Sequence, residues 1–118
     1  GMFEGDPHIS FVMGVSSGMP ARADLLPILK DELPENALWQ VIATGPGRKK
    51  IWDLHRAVIE HGGNVRTGLE DTFYLPDEQR ATDNGQLIEA LVNIVRDVGK
   101  EPADPTEARK ILGLRPNA

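Results

Sequence analysis

The chain has 118 residues, of which 40% are hydrophobic and 26% charged, and its formal net charge is −5 from 13 basic and 18 acidic residues. This balance is typical of one soluble globular domain over residues 1–118, and the mild acidity argues against nucleic-acid binding, which needs a concentrated basic surface. The chain contains no cysteine and no apolar run near the roughly 18 residues that span a bilayer, so we expect no disulfide, no cysteine-ligated metal, no membrane span and a cytoplasmic location.

The first two predicted strands are short apolar runs bounded by glycine or proline, at residues 9–15 and 37–44. A helix is predicted after each, over 21–33 and over 51–61, because apolar residues recur there at helical spacing. Pro27 is compatible with the first of these helices only in its first turn. A glycine pair marks the end of the second helix.

The third predicted strand covers residues 64–69, and a third helix is predicted over 84–98 with Gly99 as its stop. Asn84 is expected to cap this helix. A short fourth helix opens at Asp104, where the run Asp-Pro-Thr-Glu has the pattern of a capping box.

Three strand–helix units therefore follow one another, with strands that begin at residues 9, 37 and 64. This regular repeat predicts an α/β fold with a parallel sheet in sequential strand order. Two architectures share the pattern: a small doubly wound domain, and the C-terminal three βα units of a (β/α)8 TIM barrel.

The third strand favours the partial barrel. If residues 65–70 are all in an extended conformation, the side chains of Arg66 and Glu70 point to the same face as Gly68. The alternate residues 65, 67 and 69 point to the other face, which suits packing against helices. A face with two charges and a glycine is unusual beneath a helix layer. It is normal at the interior top of a barrel, where functional groups collect at the C-terminal ends of the strands.

The other two strands also leave the sheet through small or polar residues. GVSSG at 14–18 contains Ser16 and Gly18, which could approach an anionic ligand through backbone N–H groups, although a plain turn is an equally good interpretation. ATGPG at 43–47 is followed by Arg48, which we expect at the same rim.

Four segments together resemble the C-terminal part of the β-keto acid cleavage enzymes. They are HISFVMGVSSGMPA, GPGR, GGNVRTGLED and TEARKILGL, at 8–21, 45–48, 62–71 and 106–114. The resemblance implies a zinc-dependent TIM barrel that converts a β-keto acid and acetyl-CoA into acetoacetate and a new acyl-CoA.

The resemblance also implies roles for individual residues. Glu70 matches the carboxylate ligand of the zinc ion, Asp71 matches the catalytic aspartate, and Arg66 matches the arginine that accompanies that aspartate. These roles suit the chemistry, because zinc binds carboxylate oxygens and a nearby arginine holds an aspartate charged and oriented. The resemblance further makes Arg48, with Ser16 and Gly18, a candidate contact for the phosphates of CoA.

The chain departs from the family pattern in its histidines. The family's other zinc ligands form a His-x-His pair, whereas His8, His55 and His61 lie far apart and fit structural roles better. We therefore expect a part of the enzyme that is incomplete by itself and that associates with the missing barrel portion or with copies of itself. The alternative is a non-catalytic α/β piece that acts as an oligomerising or interaction module.

Overall fold

The computed structural model describes residues 5–45 and 47–116. The described residues contain one parallel sheet of three strands in the order β1-β2-β3. The strands are β1 (His8–Met13), β2 (Leu38–Ala43) and β3 (Asn64–Arg66), and the helices are α1 (Leu26–Asp31), α2 (Arg48–Glu60), α3 (Asn84–Asp97) and α4 (Pro105–Ile111). The predicted parallel, sequential βα order is confirmed.

Three helix predictions need correction, two in extent and one in its cap. The helix predicted over 51–61 begins three residues earlier, at Arg48, and ends at Glu60. The segment expected to be helical over 21–33 forms a short 3-10 turn followed by α1, and Pro27 lies in the first turn of α1 as the sequence requires. The predicted cap of α3 is wrong: Asp83 is the N-cap, its side chain accepts from the N–H of Gln86, and Asn84 is the first helical residue.

The third strand is shorter than the predicted 64–69 and ends at Arg66. The chain turns back directly afterwards, since the carbonyl of Gly68 accepts from the N–H groups of both Asp71 and Thr72 at 3.0 Å. Residues 68–72 therefore form a turn beyond the strand rather than its continuation.

The core lies on one face of the sheet. Trp39, Val41 and Ala43 alternate along β2 as its buried positions, and they belong to the same apolar cluster as Leu54 and Val58 of α2. Burying a side chain such as that of Val41, Leu54 or Val58 contributes about 1.5–3 kcal/mol. A second cluster joins α2 to α3 and is formed by Trp52, Ala81, Leu87 and Leu91.

The opposite face of the sheet is largely open. Register places Ser10, Gln40 and Asn64 side by side across the three strands, with Gln40 Nε2 donating to Ser10 Oγ at 2.8 Å. The next row towards the C-terminal ends contains Val12, Ile42 and Arg66. Within the described ranges, no helix is both long enough and apolar enough to cross a bilayer.

Candidate functional site

A cluster of one arginine and two carboxylates lies just beyond the C-terminal end of β3. Arg66 donates to both oxygens of Asp71, from Nε and from Nη2, at 3.2 Å each. The same Nη2 donates to Glu70 Oε2 at 2.8 Å. The hydrogen bonds to Asp71 raise the pKa of the Arg66 guanidinium above its ordinary value, so Arg66 stays charged at physiological pH.

The two carboxylates differ strongly in exposure. The side chain of Asp71 is 7% exposed, whereas that of Glu70 is 84% exposed. Asp71 is thus shielded and fixed by two hydrogen bonds from Arg66, while the exposed Glu70 has a second oxygen with no hydrogen-bond partner among the described residues.

The three residues predicted from the third strand do lie together, but the predicted reason is wrong. We expected Arg66 and Glu70 to share a strand face, whereas only Arg66 lies in β3 and both acids lie in the following turn. The turn brings Asp71, which strand alternation would have placed on the opposite face, against the same guanidinium as Glu70.

Arg48 lies close to this acid cluster. It borders a cavity of about 430 Å³ that is also lined by Thr44, Glu70, Asp71 and residues 72–74. Its guanidinium carbon lies 3.9 Å from the centre of the Tyr74 ring, in cation–π contact. The lining of this cavity therefore combines the two acids with a cation, Arg48, which contacts the Tyr74 ring.

Tyr74 is itself held by α2. Trp52 Nε1, one helical turn after Arg48, donates to the carbonyl of Tyr74 at 2.9 Å. Arg48 and Trp52 share one face of α2 because they are four residues apart. This contact was not predicted, because the sequence gives no sign that segment 67–75 folds back onto α2.

Ser16 and Gly18 lie at a different cavity from Arg48. They border a space of about 340 Å³, together with Gly47 and Lys50 at the start of α2. Thr44 lines both cavities. The predicted cofactor-binding residues are therefore neighbours along the same edge of the sheet, but the cation that faces Ser16 and Gly18 is Lys50.

The histidines take structural positions. His8 begins β1 at the opposite end of the sheet from the acids, and His61 follows the last residue of α2. His55 is 1% exposed inside α2, its ring meets Trp52 edge-on at 5.7 Å, and its two nitrogens have no hydrogen-bond partner among the described residues. Burial lowers the pKa of His55 to about 4, against the opposing charge of Asp71, so the ring is neutral at physiological pH.

The described residues do not make a zinc site by themselves. No group of three or more His, Asp or Glu side chains with metal-binding geometry occurs within ranges 5–45 and 47–116. Glu70 offers one accessible carboxylate, whereas a catalytic zinc ion has three protein ligands. Glu70 fits the role of one ligand, and the rest of such a set is not found in this part of the chain.

Comparison with known proteins gives a consistent result. A family model described as beta-keto acid cleavage enzyme matches residues 1–114. The chain is 36% identical over 115 residues to the 3-keto-5-aminohexanoate cleavage enzyme of Fusobacterium nucleatum subsp. nucleatum, covering 98% of this chain and 40% of that protein.

Two further relatives have other substrates in their names. The chain is 32% identical over 117 residues to the 3-oxoadipate:acetyl-CoA acetyltransferase of Cupriavidus necator, with 97% of this chain and 40% of the relative covered. It is 35% identical over 114 residues to the 3-dehydrocarnitine:acetyl-CoA trimethylamine transferase of Rhizobium meliloti, with 97% and 37% covered. The chain thus spans about two fifths of the length of these relatives.

Proposed function

The chain belongs to the β-keto acid cleavage enzyme family, and we propose that it carries the general base of a β-keto acid:acetyl-CoA acyltransferase. The observation that carries this proposal is the shielded Asp71, held by two hydrogen bonds from Arg66 at the C-terminal end of a parallel sheet. This is the end of a parallel sheet where ligands bind. The proposal includes the fold: the three βα units are part of a TIM barrel.

In this proposal Asp71 is the general base. The most acidic carbon-bound proton of a β-keto acid lies on the carbon between the keto group and the carboxylate. Asp71 removes it, and Arg66 holds the carboxylate charged and in one orientation before the transfer. A positioned base of this kind contributes about 10²–10⁴-fold to the rate.

Glu70 is proposed as the metal ligand from this chain. Its exposed carboxylate adjoins the base, so a metal there would lie near the carbonyl of a bound keto acid. When bound, zinc would polarise that carbonyl. The remaining ligands would come from outside the described residues.

Acetyl-CoA is the proposed co-substrate, since it is in the names of two of the relatives described above. Two cations at this edge of the sheet could bind its phosphates. Arg48 lines the cavity that also contains Glu70 and Asp71, and Lys50 lies beside Ser16 and Gly18. Charge-assisted contacts to phosphate are strong enough for R48A to raise the KM for acetyl-CoA by about tenfold. An unchanged KM would remove Arg48 from this role.

The test of the proposal is deuterium exchange into the acidic carbon of a β-keto acid. The complete barrel that contains this chain, supplied with zinc, should accelerate exchange from heavy water above the spontaneous rate, and D71N in that barrel should lose at least about 100-fold of the acceleration. D77N is the matched control, because Asp77 is an exposed aspartate of the following loop. Equal rates for wild type and D71N would refute the assignment of Asp71.

A second candidate function is an oligomerising or interaction module without catalysis. It is favoured by the open sheet face, where Val12 is 45% exposed, and by β1 and β3, which are edge strands within the described part of the chain. Zinc content and light scattering distinguish the two candidates. A chain that binds no zinc and self-associates would support the module, whereas zinc bound in a Glu70-dependent manner would support the enzyme.

A further inference from the structure

The turn that carries the two acids is attached to the start of α3. The side-chain oxygen of Asn84 accepts a hydrogen bond from the N–H of Leu69 at 2.8 Å. Leu69 directly precedes Glu70 and Asp71. A methyl group built on Gly68 would lie 3.4 Å from the same oxygen, so Asn84 lies directly against the turn.

Asn84 is not needed to begin α3. Asp83 Oδ1 accepts from the N–H of Gln86, and Gln86 Oε1 accepts from the N–H of Thr82, each at 2.9 Å. The first bond caps the helix, and the second ties Gln86 to the residue before the cap, so neither uses the side chain of Asn84. The amide oxygen of Asn84 is therefore free to bond the acid turn, 15 residues earlier in the chain.

The bond from Asn84 completes the anchoring of the turn. Gly68 accepts from the N–H groups of Asp71 and Thr72, and Asn84 accepts from that of Leu69. The peptide that carries Glu70 is thus held from both sides. On its other side, the turn meets Arg66, which bonds both acids.

We propose that Asn84 is a positioning residue for the acid pair: through the N–H of Leu69, its amide oxygen sets where Glu70 and Asp71 lie relative to Arg66. The effect of this geometry on proton transfer rests on the proposed function.

The experiment compares N84A and N84D with the wild-type chain by NMR. N84A should raise the exchange rate of the Leu69 amide by about tenfold, because its acceptor is lost. It should also shift the Arg66 Nε–H signal, which reports the bond to Asp71. N84D keeps an oxygen at the same place and should retain slow exchange of Leu69.

N93A is the matched control, since Asn93 is an exposed asparagine farther along α3. It should leave the Leu69 amide and the Arg66 Nε–H signal unchanged. N84A should fold, because Asn84 is exposed and alanine favours helix. Slow Leu69 exchange in N84A, fast exchange in N84D, or an Arg66 signal that N84A leaves in place would each overturn the proposal.

Deuterium exchange into the keto acid separates this inference from the proposed function. If the complete barrel that contains this chain accelerates it, N84A should lose about tenfold of the acceleration and N93A none. If the complete barrel does not accelerate it, the proposed function fails, while the two NMR signals still decide whether Asn84 positions the acids.

Discussion

The loops that follow β1 and β3 leave the same edge of the sheet but are fixed by different contacts. The hydrogen bonds of residues 14–19 in the described structure are all between backbone groups, such as Gly14 N–H to the Met19 carbonyl at 2.8 Å. The segment after β3 is instead held by side chains from three elements: Arg66, Trp52 and Asn84. The first loop therefore depends on glycine geometry, and the second on particular polar groups.

The two kinds of contact have different consequences for the residues that each loop carries. A loop fixed by its backbone can keep its form while its exposed side chains change, which suits a surface that contacts a phosphate chain. A loop fixed by side chains gives each acid its own environment, which is how Asp71 is shielded while its neighbour Glu70 is open. Substitutions in the two loops should therefore have different effects.

The largest effect is expected at Gly14. Its φ is +98°, and a methyl group there would overlap the carbonyl oxygen of Thr44. G14A should lower the free energy of unfolding by about 3 kcal/mol or more, from the strained backbone and the overlap together. Urea denaturation measures this.

The control lies in the same loop. The nearest atom to a methyl group on Gly18 is 3.7 Å away, so G18A should change stability by less than about 0.5 kcal/mol. A tolerated G14A would show that backbone packing does not fix this loop.

The next effect is a dependence of stability on pH, caused by the buried His55 of α2. His55 has a pKa of about 4 in the folded chain against 6.5 when unfolded, so the unfolded chain binds more protons between these values. The stability that this group contributes is present above pH 6.5 and is lost as pH falls towards 4, by up to about 3 kcal/mol. H55L should remove this component, which is read from the difference between the two pH profiles of unfolding. H61L is the control, and parallel profiles for wild type and H55L would contradict the prediction.

The fold was predictable because its signals are local. The order of strands and helices, and with it the parallel sheet, followed from the spacing of apolar residues, from Pro27 and from the glycine after α3. The capping box of α4 also forms as its sequence indicates, with Asp104 and Glu107 each bonding the other's backbone N–H. The end of β3 at Arg66 was not predicted, because the chain turns back through two hydrogen bonds to the Gly68 carbonyl, and the alternation of side chains along a strand does not indicate such a turn.

The site was predictable only in part, for a related reason. Arg66, Glu70 and Asp71 are close in sequence, so any compact turn brings them together. Asn84 and Trp52 reach the same segment from 15 and 22 residues away, and such contacts depend on how α2 and α3 pack. Asn84 was predicted as the cap of α3 because asparagine is a favoured N-cap residue. Aspartate is favoured equally, and the actual cap is the preceding Asp83.

A smaller effect should distinguish the two acids. D71N keeps the shape of the side chain but weakens both bonds from Arg66, and because Arg66 is partly exposed we expect a loss of about 1–2 kcal/mol of unfolding free energy. E70Q removes an exposed ion pair and should cost less than about 0.5 kcal/mol. Urea denaturation of both variants gives the comparison, and equal losses would mean that Asp71 is not the structural member of the pair.

The smallest effect tests whether Arg48 is held by its aromatic neighbour. A double-mutant cycle with R48Q and Y74L should give a coupling energy of about 0.5–1 kcal/mol, because the guanidinium lies 3.9 Å from the ring centre at a partly exposed site. The matched cycle uses R80Q and F73L, where the corresponding distance is 5.7 Å, and should give a coupling near zero. Equal couplings in the two cycles would mean that Tyr74 does not fix Arg48. The side chain of Arg48 would then be held no more firmly than that of the exposed Lys50 beside Ser16. The two loops would then differ only in how they position Glu70 and Asp71.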